Sequence, residues 1–263
     1  MKTILNLVLL LTISCAFAQS DEKFYTPSKN LKPFEIQNHE AVLITVDSDT
    51  LHNVFFKPAG KAKATILFFQ GAGGNFSDYQ YITKPFVEAG YQVLMTSFRG
   101  YGKSTGKPTH LNITSDAEVI FETFTKRKDV KNLPVLVYGT SIGCQVAVNL
   151  TRKKQSKIKA LILDSGFTSF TDIALSTTPE AQHAMIRQYV VSPYSAEEDI
   201  KAIENVKILV IQSEQDEFVP FALGKKVFDN ANEPKTLYQY EGKHIEAMKT
   251  DAKKIISKID GLL

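Results

Sequence analysis

The stretch Val135–Val148 constrains the fold of this chain more than any other part of the sequence. Val135-Leu-Val-Tyr138 is a short apolar run with β-branched residues, which predicts a buried strand. Gly139-Thr-Ser-Ile-Gly143 follows at once, and residues 145–150 continue as a helix. A strand, a Gly-x-Ser-x-Gly turn and a helix together predict a nucleophile elbow, in which the central serine is strained and its hydroxyl is raised above the sheet.

The residues around Ser141 each have a physical role in such a turn. A side chain at Gly139 or Gly143 would collide with neighbouring backbone, because the turn is very tight. The N–H of Ile142 opens the helix and points at any oxyanion that forms beside Ser141, where the helix dipole favours negative charge. An ordinary glycine-rich turn between strand and helix is the alternative interpretation. The rest of the sequence must distinguish the two.

Strand patterns alternate with helix patterns along the rest of the chain. Ser77 is expected to cap a helix that runs towards Ala89, and Ser115-Asp-Ala-Glu118 is expected to open another helix as a capping box. The alternation predicts an α/β fold with a mostly parallel central sheet and helices on both faces. Ligand sites of such sheets lie at the carboxyl ends of the strands. Further strands are predicted at 42–46, 51–56, 64–70, 91–98, 158–163, 207–212 and 235–240, and helices at 77–89, 115–128, 220–230 and 245–259.

The first 18 residues are typical of a secretory signal peptide. Lys2 supplies the positive charge, Ile4–Ala18 is almost entirely apolar, and Ala16 and Ala18 are small residues at the positions that a signal peptidase reads. The apolar run is short for a transmembrane helix, and no other stretch could span a membrane. We expect cleavage after Ala18 and a secreted or periplasmic protein; a retained anchor and a lipid attached to Cys15 are the alternatives.

Length and composition indicate one folded domain. The 263 residues contain 43% hydrophobic residues, enough for a sizeable core, so we expect a polar linker over residues 19–33 and a single domain over 34–263. The net charge of +3 comes from 31 basic and 28 acidic residues. Because these charges nearly balance and form no long basic run, the composition predicts no nucleic-acid partner.

Three loops that follow predicted strands contain further candidate site residues. Gln70-Gly-Ala-Gly-Gly-Asn75 lacks the lysine and Ser/Thr of a phosphate loop, so we interpret it as half of an oxyanion hole with the Ala72 N–H as donor. A flexible turn is the alternative. Asp216 stands a few residues beyond one strand, and His244, alone among the five histidines, follows a strand end near the C-terminus.

Ser141, Asp216 and His244 occur in the chain order of a catalytic triad. Serine is a poor nucleophile at its own pKa and needs a base. His244 can accept the proton near neutral pH and return it to the leaving group, while Asp216 fixes the histidine tautomer and stabilises the imidazolium. Asp164 also ends a predicted strand and is the alternative acid.

With these motifs the chain resembles the α/β-hydrolase superfamily over about 42–262, and most closely the small-lid group of serine aminopeptidase-like and monoacylglycerol-lipase-like hydrolases. The resemblance implies that Ser141 is the nucleophile, Asp216 the acid and His244 the base, with the Ala72 and Ile142 amides as the oxyanion hole. It rests on Gln70–Asn75, Phe98–Gly106, Gly139–Gly143, Asp164–Ser169, Asp216–Pro220 and His244.

Two positions depart from the family pattern. Gln70 stands where the family usually has histidine, and we expect its side chain to hydrogen-bond the oxyanion loop. Ser213 stands where the family usually has glycine, which bears on the path of the Asp216 loop.

The resemblance implies a serine hydrolase that cleaves an ester, thioester or amide of a small-molecule acyl substrate through an acyl-enzyme, with no metal or organic cofactor. A lid over about 167–206 has room for two short helices, which favours a carboxylesterase for short to medium acyl groups. An aminopeptidase-like amidase and a catalytically silent binding protein are the alternatives. The apolar lid residues that could roof an acyl pocket, or simply pack the lid on the sheet, are Phe170, Ile173, Met185, Ile186 and Tyr189.

Overall fold

The computed structural model describes residues 21–263, so the predicted signal peptide, its cleavage site and Cys15 lie outside the described residues. Its centre is an eight-stranded sheet. Numbered along the chain, its strands are β1 (His39–Val46), β2 (Asp49–Phe56), β3 (Ala64–Phe69), β4 (Tyr91–Met95), β5 (Val135–Thr140), β6 (Ala160–Asp164), β7 (Lys207–Gln212) and β8 (Lys235–Gln239). They lie side by side in the order β8-β7-β6-β5-β3-β4-β2-β1.

The sheet is mostly parallel, as predicted. β2 pairs antiparallel with β1 and with β4, and every other pairing between neighbouring strands of this sheet is parallel. All residues of the central strands β3, β5 and β6 are buried, because both faces of the sheet are covered. This explains why these strands are continuous apolar runs in the sequence.

Helices cover both faces of the sheet. They are α1 (Gln80–Glu88), α2 (His110–Phe124), α3 (Ile142–Lys154), α4 (Phe170–Ser176), α5 (His183–Tyr189), α6 (Ala196–Asp199), α7 (Phe221–Asn230), α8 (Ala247–Thr250) and α9 (Ala252–Asp260). Because successive side chains of a strand point to opposite faces, Leu67 belongs to the buried cluster that includes residues of α2, α3 and α7, while Ile66 belongs to the one that includes residues of α1 and α9. The segment between β6 and β7 is the expected lid region and contains α4 to α6.

The starts of α1 and α2 differ from the sequence prediction, and the predicted helix 245–259 is two helices, α8 and α9. Helix α2 begins at His110 and not at Ser115, because Thr109 accepts a hydrogen bond from the Asn112 N–H and the Asn112 side chain accepts one from the Thr109 N–H. This is a capping box with asparagine as its second residue. A 3₁₀ turn at Phe76–Tyr79 precedes α1, and its cap is Asn75, not Ser77.

Residues 21–33, which the sequence placed in a polar linker, lie against the domain. Tyr25 is buried, and Thr26–Pro27 pairs in parallel with Gly73–Gly74. A polar composition therefore did not mean a free segment, because backbone hydrogen bonds and side-chain contacts, that of Tyr25 with His110 among them, hold it in place. None of the helices in the described part of the chain is long and apolar enough to cross a membrane.

Candidate active site

Ser141 occupies the sharp turn between β5 and α3. Its backbone lies at φ +51° and ψ −120°, a strained conformation for a residue with a side chain. A Cβ on Gly139 would lie 2.5 Å from the carbonyl oxygen of Gly143, and a Cβ on Gly143 would collide with the carbonyl oxygen of Phe69. The strain at the serine and both close backbone approaches are the features that the sequence predicts for a nucleophile elbow.

The glycine-rich loop after β3 passes directly beside Ser141. A Cβ on Gly71 would lie 3.5 Å from the Cβ of Ser141, and both Ala72 and Ile142 line the same cavity as the serine. Ile142 is the first residue of α3. Neither the Ala72 nor the Ile142 amide donates a hydrogen bond to another described residue. Two amides beside one serine hydroxyl can receive a developing oxyanion.

Residues outside this loop donate hydrogen bonds to its carbonyl groups. The Ala72 oxygen accepts hydrogen bonds from the Tyr101 hydroxyl and from the Thr26 N–H at 3.0 Å. The Gly73 oxygen accepts one from the Tyr79 hydroxyl at 3.1 Å. Gln70 does not do what we expected, since its fully buried side-chain amide has no hydrogen-bond partner among residues 21–263.

Asp216 and His244 form a hydrogen-bonded pair. The Oδ2 atom of Asp216 lies 2.7 Å from Nδ1 of His244. The other carboxylate oxygen, Oδ1, accepts from the backbone N–H groups of Phe218 at 2.9 Å and Val219 at 2.8 Å. The Asp216 side chain is fully buried, whereas that of His244 is 14% exposed. The loop after β7 therefore fixes the carboxylate, and the carboxylate fixes the imidazole.

Asp164, the alternative acid, has different partners. It is fully buried at the end of β6, and its Oδ2 accepts from the Tyr138 hydroxyl at 2.9 Å. The Ser165 hydroxyl lies 3.3 Å from its Oδ1. Burial raises the pKa of Asp164 from its ordinary 3.8 to about 6, against the opposing effect of the Tyr138 hydrogen bond. The carboxyl group that contacts His244 is thus the one on Asp216.

The raised pKa of Asp164 predicts a pH-dependent loss of stability. The native state holds this proton more tightly than the unfolded chain, so ionisation lowers the free energy of unfolding as the pH rises from about 4 towards 6. The full effect corresponds to about 3 kcal/mol. Asp164→Asn cannot ionise, so its own stability does not fall in this way. The free energy of unfolding in urea, variant minus wild type, should therefore be about 1 kcal/mol more positive at pH 8 than at pH 5. An equal difference at both pH values would contradict the raised pKa.

An apolar cavity of about 540 Å³ opens at Ser141 under the lid. Four of the five expected lid residues line it: Ile173, Met185, Ile186 and Tyr189. The fifth, Phe170, is fully buried and stacks on the ring of His110, with 3.5 Å between ring centroids. Four of these lid side chains therefore cover the cavity, whereas Phe170 packs the lid against His110.

Phe218, Val219 and Phe24 line this cavity, although nothing in the sequence had assigned them to the site. Phe218 and Val219 follow Asp216, and the ring of Phe218 lies edge-on to His244 at 5.5 Å, which connects the acid–base pair to the cavity of Ser141. The sequence signal that could have indicated this is that both residues are apolar and closely follow the acid residue of the loop. Phe24 comes from the segment interpreted as a linker, and no local pattern marked it.

Comparison with known proteins supports the same assignment of fold. A family model described as serine aminopeptidase, S33, matches residues 60–194, about half of the chain. Protein bem46 of Schizosaccharomyces pombe is 32% identical over 209 residues, covering 78% of this chain and 68% of the relative. Lysophosphatidylserine lipase ABHD12 of Danio rerio is 30% identical over 191 residues, covering 65% of this chain and 48% of the relative.

A solved structure shows the same fold. The Pyrococcus furiosus esterase Pf2001 superposes with a TM-score of 0.71 at 17% identity and covers 90% of this chain and 98% of its own. The strand order, the elbow and the family match agree with one another. The chain therefore belongs to the serine aminopeptidase (S33) family of α/β hydrolases.

Proposed function

We propose that the protein is a serine hydrolase that cleaves carboxylic esters through an acyl-enzyme on Ser141. The observation that carries this proposal is the Asp216–His244 pair, 2.7 Å apart, which contacts Phe218 in the wall of the apolar cavity on which the strained Ser141 opens. An acid, a base and a nucleophile in this arrangement serve acyl transfer. The esterase and lipase names of similar proteins are consistent with it.

In this proposal each group has one role. With Nδ1–H of His244 donated to Asp216, the other ring nitrogen, Nε2, has a free lone pair and acts as the base. It takes the Ser141 proton as Oγ attacks the ester carbonyl, and the amides of Ala72 and Ile142 receive the oxyanion. The imidazolium then protonates the departing alcohol, and water releases the acid by the same steps.

The lining of the cavity favours an ester over a peptide N-terminus. An aminopeptidase must bind a cationic α-amino group, which requires a carboxylate or several carbonyl oxygens near the scissile bond. Among the described residues that line the cavity, the only charged one is Lys23, a cation. A cation repels an ammonium group, so the amidase alternative lacks an observation in its favour.

We propose short to medium acyl groups, from acetyl to about octanoyl, as the acyl substrates. Each methylene buried in the apolar cavity contributes about 0.8 kcal/mol, so kcat/KM should rise up to about fourfold per methylene until the space under the lid is filled. A p-nitrophenyl ester series from acetyl to palmitoyl, run beside aminoacyl-anilides and Ser141→Ala, should show a maximum and then a fall. A continuous rise to palmitoyl would indicate a lipase, and faster cleavage of the anilides would indicate an amidase.

We also propose that the protein is exported and that its mature N-terminus is Gln19. The support is the sequence of the leader, with small residues at Ala16 and Ala18. Intact-mass measurement of exported protein should give a chain that begins at Gln19. A mass that corresponds to an acylated Cys15 would instead make it a lipid-anchored protein.

A further inference from the structure

The N-terminal strap, which we define as residues 21–28, lies along the oxyanion loop at 70–75. The Thr26 N–H donates to the carbonyl oxygen of Ala72 at 3.0 Å, and the Ser28 N–H donates to that of Gly74 at 2.7 Å. These bonds form a short parallel pairing between the two segments. The strap thus contacts the backbone on both sides of Gly73, next to the candidate oxyanion donor.

Two residues of the strap, Tyr25 and Asp21, hydrogen-bond the same residue of the domain. The Tyr25 ring is 5% exposed, and its hydroxyl lies 2.8 Å from Nδ1 of His110, the first residue of α2. The Asp21 carboxylate accepts from the His110 N–H at 2.9 Å. Because the His110 ring stacks on Phe170 of the lid helix α4, one histidine connects the strap, α2 and the lid.

The strap also forms part of the cavity wall. Phe24 lines the cavity, and its ring is edge-on to Phe170 with 5.5 Å between centroids. The strap therefore contacts both the oxyanion loop and the cavity in which the substrate would bind.

We propose that the N-terminal strap is a positioning element of the active site, which holds the oxyanion loop so that the Ala72 N–H faces the reacting carbonyl. Gly71, Gly73 and Gly74 make this loop intrinsically flexible, since glycine has the largest backbone freedom. A donor aimed at an oxyanion accelerates catalysis only when it is already in place, and its loss lowers kcat by about 10² to 10³. This inference rests on the proposed esterase function.

The test compares two tyrosines that each lose one buried hydroxyl. Tyr25→Phe removes the bond to His110, and the control Tyr91→Phe removes a hydrogen bond to Asp260 at 2.6 Å, on β4 and away from the cavity. Both should lose similar stability, since each gives up one hydrogen bond. Only the Tyr25 variants should lower kcat on p-nitrophenyl acetate, by about threefold for Tyr25→Phe and tenfold or more for Tyr25→Ala, with KM little changed.

Hydrogen exchange supplies a readout that does not depend on activity. The amides of Thr26 and Ser28, which donate to the loop carbonyl groups, should exchange faster in the Tyr25 variants than in wild type or Tyr91→Phe, because the strap separates from the loop more often without its support. Unchanged exchange at Thr26 and Ser28 in folded Tyr25→Phe would overturn the proposal, as would an equal loss of kcat in the Tyr91 control. If wild type hydrolyses no ester, the esterase proposal fails, and the exchange data still decide whether the strap holds the loop.

Discussion

Ser141→Ala should lower kcat/KM for p-nitrophenyl esters by about 10⁴-fold or more, with an unchanged melting temperature. The substitution removes only the serine hydroxyl. Because Ser141 is half-buried at the edge of the cavity, no core packing is lost. Relief of the strained backbone is not expected, because alanine also has a Cβ and must adopt the same φ of +51°. The residual rate would come from the oxyanion amides and from binding alone.

A fluorophosphonate probe gives the direct measurement for this variant. Wild type should be labelled at Ser141 and Ser141→Ala should not be labelled. The matched control is Cys144→Ala, one helical turn behind the serine. The Cys144 thiol is buried, lies 3.1 Å from the Gly139 carbonyl oxygen, and has a pKa raised well above its ordinary value by burial, so it is no nucleophile.

Each outcome of the labelling experiment distinguishes between the candidate functions. Labelling that persists in Ser141→Ala would show that another residue is the nucleophile. Wild type that neither takes the label nor cleaves esters would favour a silent α/β-hydrolase fold used for binding. Loss of activity in Cys144→Ala as large as that in Ser141→Ala would indicate a role for the thiol.

The middle of the sheet could be predicted from the sequence because its strands are short apolar runs that no helix pattern matches. Strand β7 coincides with the predicted range 207–212, and β5 begins at the predicted Val135. The pairing of Asp216 with His244 was also accessible, because parallel strands place the loops after β7 and β8 side by side. Chain order and strand ends were sufficient for that inference.

The features that the sequence did not reveal depend on contacts between distant residues. The predicted capping box at Ser115 matches the usual pattern better than Thr109 with Asn112, and local propensity alone does not choose between them. The polar composition of the strap predicts a linker, yet Tyr25 is buried and contacts His110, which lies 85 positions further along the chain. Such a contact has no local signature.

Asp216→Asn should lower kcat by about 10⁴-fold, the second large effect that we expect. The amide oxygen would keep the two hydrogen bonds from the Phe218 and Val219 N–H groups, so the side-chain NH₂ would face Nδ1 of His244. A donor at that position makes Nδ1 an acceptor and moves the proton to Nε2. A protonated Nε2 cannot accept the Ser141 proton, so the wrong tautomer would accumulate in an otherwise folded protein.

Asp164→Asn is the matched control, because it makes the same chemical change in the other buried carboxylate near the site. An asparagine there can still accept from the Tyr138 hydroxyl, and it leaves the Asp216–His244 bond in place, so kcat should stay within about threefold of wild type. The measurement is kcat for p-nitrophenyl acetate at pH 8 for both variants and wild type. A larger loss in Asp164→Asn than in Asp216→Asn would transfer the role of acid to Asp164, and equal small losses would mean that His244 needs no carboxylate to hold its tautomer.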